Sequence, residues 1–151
     1  MADADPAAAI ERLALKLLAA REHSRLELAR KIQARGYDAE AVEPILSGLM
    51  EQGLIDEARL AETYVAERAG KGFGPLRIRA ELRDKGLSDE AIDPHLERMQ
   101  DAWPQLLAQT HDRRFGPVPP TDQADYGRRG RFLEGRGFPS ELIRRHLRWN
   151  D

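Results

Sequence analysis

The chain has 151 residues, 41% of them hydrophobic and 33% charged, and no cysteine. A chain this long hides about 70% of its unfolded surface, so it needs no disulfide or metal to stay folded; the missing thiols exclude cysteine-ligated zinc, iron–sulfur clusters and thiol chemistry. Lys and Arg number 24 against 26 Asp and Glu, a net charge of −2 that does not fit a generic nucleic-acid binder. That average hides a gradient: residues 1–66 carry 8 basic and 12 acidic side chains, residues 67–151 carry 16 and 14. Only four of the basic residues are lysine, which fits either the composition of the genome or a use for arginine's planar fork on phosphate and carboxylate. No apolar run is long enough to span a bilayer, and Met1-Ala-Asp-Ala-Asp-Pro6 is acidic where a secretory signal would be basic. The expectation is a cytoplasmic protein with no membrane partner.

In chain order, Ala7 to Ala20 places Ile10, Leu13, Ala14 and Leu17 on one face and predicts a helix. Ser24-Arg-Leu-Glu27 reads as a capping box opening a second helix, which Gly36 closes in the left-handed conformation. Asp38 stands where a third helix needs its N-cap. Pro44 falls well inside that helix, where proline deletes a hydrogen bond at a cost of about 3 kcal/mol. The expectation there is a short turn after Asp38 and a main helix starting at Pro44, with Glu43 near its cap.

The pattern then restarts. Glu57 to Ala69 carries Ala61, Tyr64 and Val65 on one face. Lys71-Gly-Phe-Gly-Pro75 has two readings: a turn with Gly74 as cap and Pro75 in the first helical turn, or a modest contact with a phosphate backbone. The helix from Pro75 to Lys85 buries Ile78 and Leu82 and sets Arg79 and Arg83 one turn apart on a flank. Ser88, Asp93 and Pro94 repeat the roles of Asp38, Glu43 and Pro44. A helix from Leu96 to about Arg114 is interrupted at Trp103-Pro104, and the segment from Phe115 to Thr121 is a rigid linker. The helix after it holds Gly127, Gly130 and Gly135, each about 1 kcal/mol less favourable than Ala. Arg129 stands there in place of Leu28 and Ile78. This helix is expected to be the least stable element, held by Tyr126, Phe132 and Leu133.

Sliding the chain against itself aligns residues 28–47, 78–97 and 129–148. Gly36, Gly86 and Gly137 stand in register, at intervals of 50 and 51 residues, each preceded by Arg35, Lys85 or Arg136 and followed by Tyr37, Leu87 or Phe138. A period of that length sets the architecture. No run alternates with period two, so the chain is all-α, three tandem repeats of three helices. The expected division is a flexible N-terminus over 1–9 and repeats over 10–53, 54–99 and 100–151.

Catalytic chemistry finds no support. His23, His95, His111 and His146 lack the helical spacing of a metal site, two of the serines read as caps, and carboxylates such as Glu27 have a basic partner one turn away in Lys31, a solvated-face arrangement. Neither a metal nor a cofactor is expected. The better signal is basic. Arg128, Arg131, Arg136, Arg144, Arg145 and Arg148 are interleaved with Tyr126, Phe132, Phe138 and Trp149, a mixture used by single-stranded nucleic acid or a protein interface. With Arg68, Lys71, Arg79, Arg83 and Lys85 they form the candidate binding set, each residue also readable as part of a solvated face.

The ordered set Arg21-Glu-His-Ser24 with Glu27-Leu28, the helix from Asp56 to Arg68, Gly72-x-Gly74-Pro75 leading to Arg77-Ile78 and Lys85-Gly86, and Arg136-Gly-Phe138 resembles the RecX family, bacterial regulators of the RecA recombinase. The resemblance covers residues 10 to 149. It implies an elongated, curved, right-handed array of three-helix repeats that binds within the groove of RecA filaments on single-stranded DNA. It further implies inhibition of ATP hydrolysis, strand exchange and stimulated repressor self-cleavage, damping the SOS response. The implied molecule is a monomer, not an enzyme, with weak affinity for single-stranded DNA alone. Arg129, the glycine-rich helix, Pro44 and Pro94 depart from the pattern. A stand-alone helical-repeat nucleic-acid-binding protein is the alternative.

Overall fold

A computed structural model describes residues 5–148, which contain nine helices and no strand. Repeat 1 is α1 (Pro6–Ala20), α2 (Arg25–Gln33) and α3 (Ala39–Glu51); repeat 2 is α4 (Glu57–Gly70), α5 (Pro75–Asp84) and α6 (Asp89–Glu97); repeat 3 is α7 (Trp103–Phe115), α8 (Gln123–Gly135) and α9 (Ser140–Leu147). Residues 1–4 of the expected flexible N-terminus and Trp149 lie outside the described residues. Within that segment, α1 already runs from Pro6, because the Asp5 carboxylate accepts from the Ala7 N–H and Pro6 needs no donor there.

The expected caps are present. Ser24 and Glu27 form the complete capping box of α2, and Ser88 accepts from the Ala91 N–H. Gly36, Gly86 and Gly137 end the second helices with φ of 99°, 93° and 99°. Asp38 occupies the N-cap of α3 without a side-chain hydrogen bond.

The prolines do not divide the third helices. α3 runs unbroken through Pro44 and α6 through Pro94. Each proline lies in the second turn on the exposed side, and the carbonyl it deprives belongs to exposed Glu40 or Glu90, where water replaces the lost donor. A break would also interrupt one buried stripe, Val42, Leu46 and Leu49 in α3 or Ile92 and Leu96 in α6. The expected helix from Leu96, interrupted at Trp103-Pro104, is displaced: Leu96 belongs to α6, which ends at Glu97, a turn covers 98–102, and α7 starts at Trp103 with Pro104 in its first turn, where proline needs no donor.

Arg129 is only 4% exposed, at a position that is apolar in the other repeats. Its guanidinium donates to Val118 O (2.6 Å) and His111 Nε2 (3.1 Å) and pairs with the Asp125 carboxylate at 3.0 Å. Asp125 also accepts from the Thr121 N–H (3.1 Å). The arginine therefore ties the proline-rich linker onto α8, a role the sequence pattern does not disclose. A buried charge is tolerated because all three guanidinium nitrogens meet an acceptor and one of those acceptors is a carboxylate.

The apolar side chains form two cores. Ile10, Ala14, Leu28, Ile32, Val42, Leu46, Leu49 and Ile55 belong to repeat 1 alone. The second core runs through repeats 2 and 3 without a boundary, from Leu60 and Val65 through Ile78 and Leu82 to Leu133, Phe138 and Leu147.

The repeats meet through their second helices, the N-terminus of one on the C-terminal turn of the next. At the joint of repeats 2 and 3, backbone meets backbone: Gly74 N–H donates to Arg136 O (2.7 Å) and Leu76 N–H to Gly137 O (2.9 Å). A Cβ on Gly74 would lie 2.5 Å from Gly137 O, so only glycine permits this approach. At the joint of repeats 1 and 2, side chains do the linking. Ser24 Oγ donates to Lys85 O (2.5 Å), the Lys85 ammonium to Glu27 Oε2 (3.1 Å) and Arg25 N–H to Glu57 Oε2 (3.1 Å), while Arg59 pairs with Glu22.

Candidate nucleic-acid interface

The backbone joint builds a cleft. Gly72, at φ 92°, turns the chain sharply after α4, and its backbone rests on Thr110 of α7, so close that a Cβ would come within 3.1 Å of Thr110 Oγ1. Lys71 thereby lines, with Arg113 and Arg114 at the end of α7, Phe132 of α8 and Arg136 just past the end of α8, a cleft of ≈ 220 Å³. Lys71 is paired with exposed Glu67 at 3.2 Å. Arg113, Arg114 and Arg136 have no carboxylate within 4.0 Å among the described residues.

The cations are held by aromatic faces. Arg68, Arg77 and Arg136 surround the Phe73 ring at 3.9, 4.5 and 4.6 Å from its centroid. Arg114 and Arg136 lie over Phe132 at 5.0 and 5.3 Å, and Arg128 over Phe115 at 5.1 Å. Phe115 meets Phe132 edge-on at 5.4 Å. Glu81 anchors the mosaic with two bonds from Arg68, both 2.9 Å, one from Arg77 (3.2 Å) and one from the Tyr64 hydroxyl (2.8 Å). Burial, then the bond to Glu81, pushes the Tyr64 hydroxyl up to about 12. Arg114 and Arg136, stacked on rings and without a carboxylate partner among the described residues, can take phosphate oxygens.

Of the sequence-based candidates, Lys71 and Arg136 line this cleft, and Arg68 shares the Phe73 ring with Arg136 beside it. Arg131 and Arg144 meet across α8 and α9 beside Gly127 and Gly130, and Arg145 and Arg148 share a separate hollow with Pro104 and His146. Arg128 pairs with Asp125 at 2.6 Å and Arg145 with Glu141 at 2.9 Å. Arg79 and Arg83 are occupied by their own repeat: Arg79 pairs with Asp93 and Arg83 with Asp89, each at 2.7 Å. Lys85 is spent at the other joint. Phe138 is 1% exposed and belongs to the core. Arg113, Arg114, Arg77 and Phe73 are the residues that sequence reasoning missed. The paired arginines before the Phe115 linker were visible, but only the turn at Gly72 brings them to Lys71.

Two further groups differ from expectation. Glu27 does not pair with Lys31 on a solvated face. Burial raises its pKa, yet hydrogen bonds from Ser24 N–H, Lys85 and Arg21 outweigh that and lower it to about 2. Lys31 instead meets His23 Nε2 (2.9 Å), and burial lowers the pKa of His23.

His111, Asp112 and His146 place their ligand atoms within 4.8 Å of one another. Arg129, a donor only, occupies His111 Nε2, which leaves the proton on Nδ1 facing Asp112 Oδ1 at 2.8 Å. Both ring nitrogens are then committed, and the trio does not suit a metal ion. No helix of the described residues is long and apolar enough to cross a membrane.

Three three-helix domains in tandem, locked through their second helices and displaying a cation–aromatic cleft, define a protein of the all-α helical-repeat class. The chain belongs to the RecX family of regulatory proteins. Family models for the first, second and third three-helix domains of RecX match residues 7–49, 56–96 and 104–147. The regulatory protein RecX of Halorhodospira halophila is 43% identical over 136 residues, 90% of this chain and 84% of that protein. That of Pseudomonas putida is 42% identical over 147 residues, 97% and 94% of the two chains. A crystal structure of regulatory protein RecX superposes with a TM-score of 0.78 at 25% identity, covering 96% of this chain and 72% of that one. RecX from Lactobacillus salivarius, at 19% identity and a TM-score of 0.77 over 94% of both chains, shares the fold.

Proposed function

We propose that this chain regulates the RecA recombinase by binding the RecA filament on single-stranded DNA and biasing it toward an inactive state. It lowers DNA-dependent ATP hydrolysis, strand exchange and stimulated repressor cleavage, and so damps the SOS response in the cytoplasm. It acts as a monomer and by occupancy rather than catalysis, because a regulator works through differential affinity for its partner's states. The observation that carries the reading is the cleft of Lys71, Arg113, Arg114, Phe132 and Arg136 in a member of the RecX family. The gradient of charge supports it, with an acidic front over residues 1–66 for protein and a basic rear over residues 67–151 for the nearby phosphates.

The test is ATP hydrolysis by RecA on single-stranded DNA with substoichiometric additions of this chain. Inhibition is expected, and its absence refutes the reading. Arg113→Glu with Arg114→Glu should weaken filament binding by more than about tenfold. Arg79→Glu with Arg83→Glu should act mainly on stability, since those guanidiniums already hold Asp93 and Asp89. The cleft alone also suits a nucleic-acid binder that needs no RecA. Equal affinity for naked and RecA-coated single strands, with a salt slope of about 0.7 per phosphate, would favour that second reading.

A further inference from the structure

We propose that the C-terminal turn of α2, Arg35-Gly36-Tyr37, is a docking site for the N-terminal turn of a helix on a partner protein. That helix carries a small polar cap, a leucine two residues on and a glutamate at the third position. The inference rests on what the molecule does with its other two copies of this turn. The three turns stand in register and share one conformation, with φ of 99° at Gly36, 93° at Gly86 and 99° at Gly137. At Gly137 the carbonyls of the turn accept N–H groups from the start of α5, and at Gly86 the Lys85 carbonyl accepts the Ser24 hydroxyl from the start of α2. A Cβ on Gly86 would lie 2.7 Å from that of Leu26, and one on Gly137 would overlap Arg77. A Cβ on Gly36 would meet nothing within 4 Å.

The chemistry of the occupant follows from the joint of repeats 1 and 2. There the docked helix brings Ser24 onto the turn's carbonyl, Leu26 onto its glycine and Glu27 onto its lysine. Arg35 is the register equivalent of Lys85, is exposed, and has no carboxylate partner among the described residues. An acidic first turn therefore meets an unpaired guanidinium and a helix C-terminus whose carbonyls want donors.

A second copy of this chain is the poorer occupant. Its free helix start is that of α8, where Asp122 is the cap, Ala124 stands in the place of the leucine, and the Asp125 carboxylate is already held by the Thr121 N–H, Arg128 and Arg129.

The experiment titrates the 15N-labelled full chain with a lactam-stapled helical peptide whose first turn is Ser-Arg-Leu-Glu. Amide shifts confined to Arg35, Gly36, Tyr37 and their neighbours are expected. Arg35→Glu should weaken the peptide about fivefold or more, and a peptide with lysine in place of its glutamate should regain affinity for that variant. Absent shifts, shifts elsewhere, or affinity indifferent to the charge swap overturn the proposal. Concentration-dependent self-association in sedimentation that Arg35→Glu abolishes also overturns it, by giving the turn to a second copy.

Discussion

The two joints solve one geometric problem with different materials. Where repeats 2 and 3 meet, glycine lets backbone touch backbone, and the hydrophobic core continues across the boundary. Where repeats 1 and 2 meet, a serine hydroxyl and an ammonium–carboxylate contact carry the connection, and repeat 1 keeps a core of its own. The difference has a functional side. The cleft at the second joint brings Lys71, Arg113 and Arg136 together from both repeats, and it is built on the backbone-to-backbone connection. The first joint is made of side chains that rotamer changes and protonation can release.

The largest effect should come from Gly137→Ala. The new methyl group must displace Arg77 and its backbone, so a loss above about 3 kcal/mol is expected in denaturant unfolding. A loss equal to that of Gly36→Ala would dissolve the distinction between covered and uncovered turns. Acid comes next. The Glu27 carboxyl is held below its ordinary value, at about 2, so its contribution is complete above pH 4.5 and disappears as pH falls from there toward 2. The amount is up to about 3 kcal/mol. The Ser24 amide, which donates to Glu27 Oε1, should lose protection from hydrogen exchange over that range before the Gly74 and Leu76 amides, whose carbonyl acceptors do not titrate.

Ser24→Ala should cost about 2 kcal/mol, about half from the lost cap and half from the bond to Lys85 O. A Tm change no larger than that of Ser88→Ala, a cap with no contact across a joint, would show that the inter-repeat bond adds nothing. Gly36→Ala should be the mildest, about 1 kcal/mol of backbone strain alone.

Much of the fold was legible because capping chemistry is local. The glycine register, the capping box at Ser24 and the single-face stripes announce helices and their ends without knowledge of the partner surfaces. Pro44 and Pro94 misled because the cost of a helical proline depends on whether the orphaned carbonyl reaches water, a tertiary fact. Arg129 misled because its partners lie 4, 11 and 18 residues away. The candidate site was half legible. Basic residues were visible as composition, but whether a guanidinium is free or taken by Asp89 or Asp93 depends on helix packing. The segments that carry the family resemblance, Arg21 to Glu27, Gly72 to Pro75 and Arg136 to Phe138, prove to be the parts that make the two joints.

The division of the core also orders events during synthesis. Repeat 1 has every buried side chain of its core by Ile55, so it can collapse while the rest of the chain is still in or on the ribosome. Repeat 2 packs first within itself, α4, α5 and α6 on one another, but its core is completed only when Leu133, Phe138, Ile143 and Leu147 join Ile78, Leu82 and Ile92. The backbone-to-backbone joint that positions the cleft is thus the last part of the molecule to form.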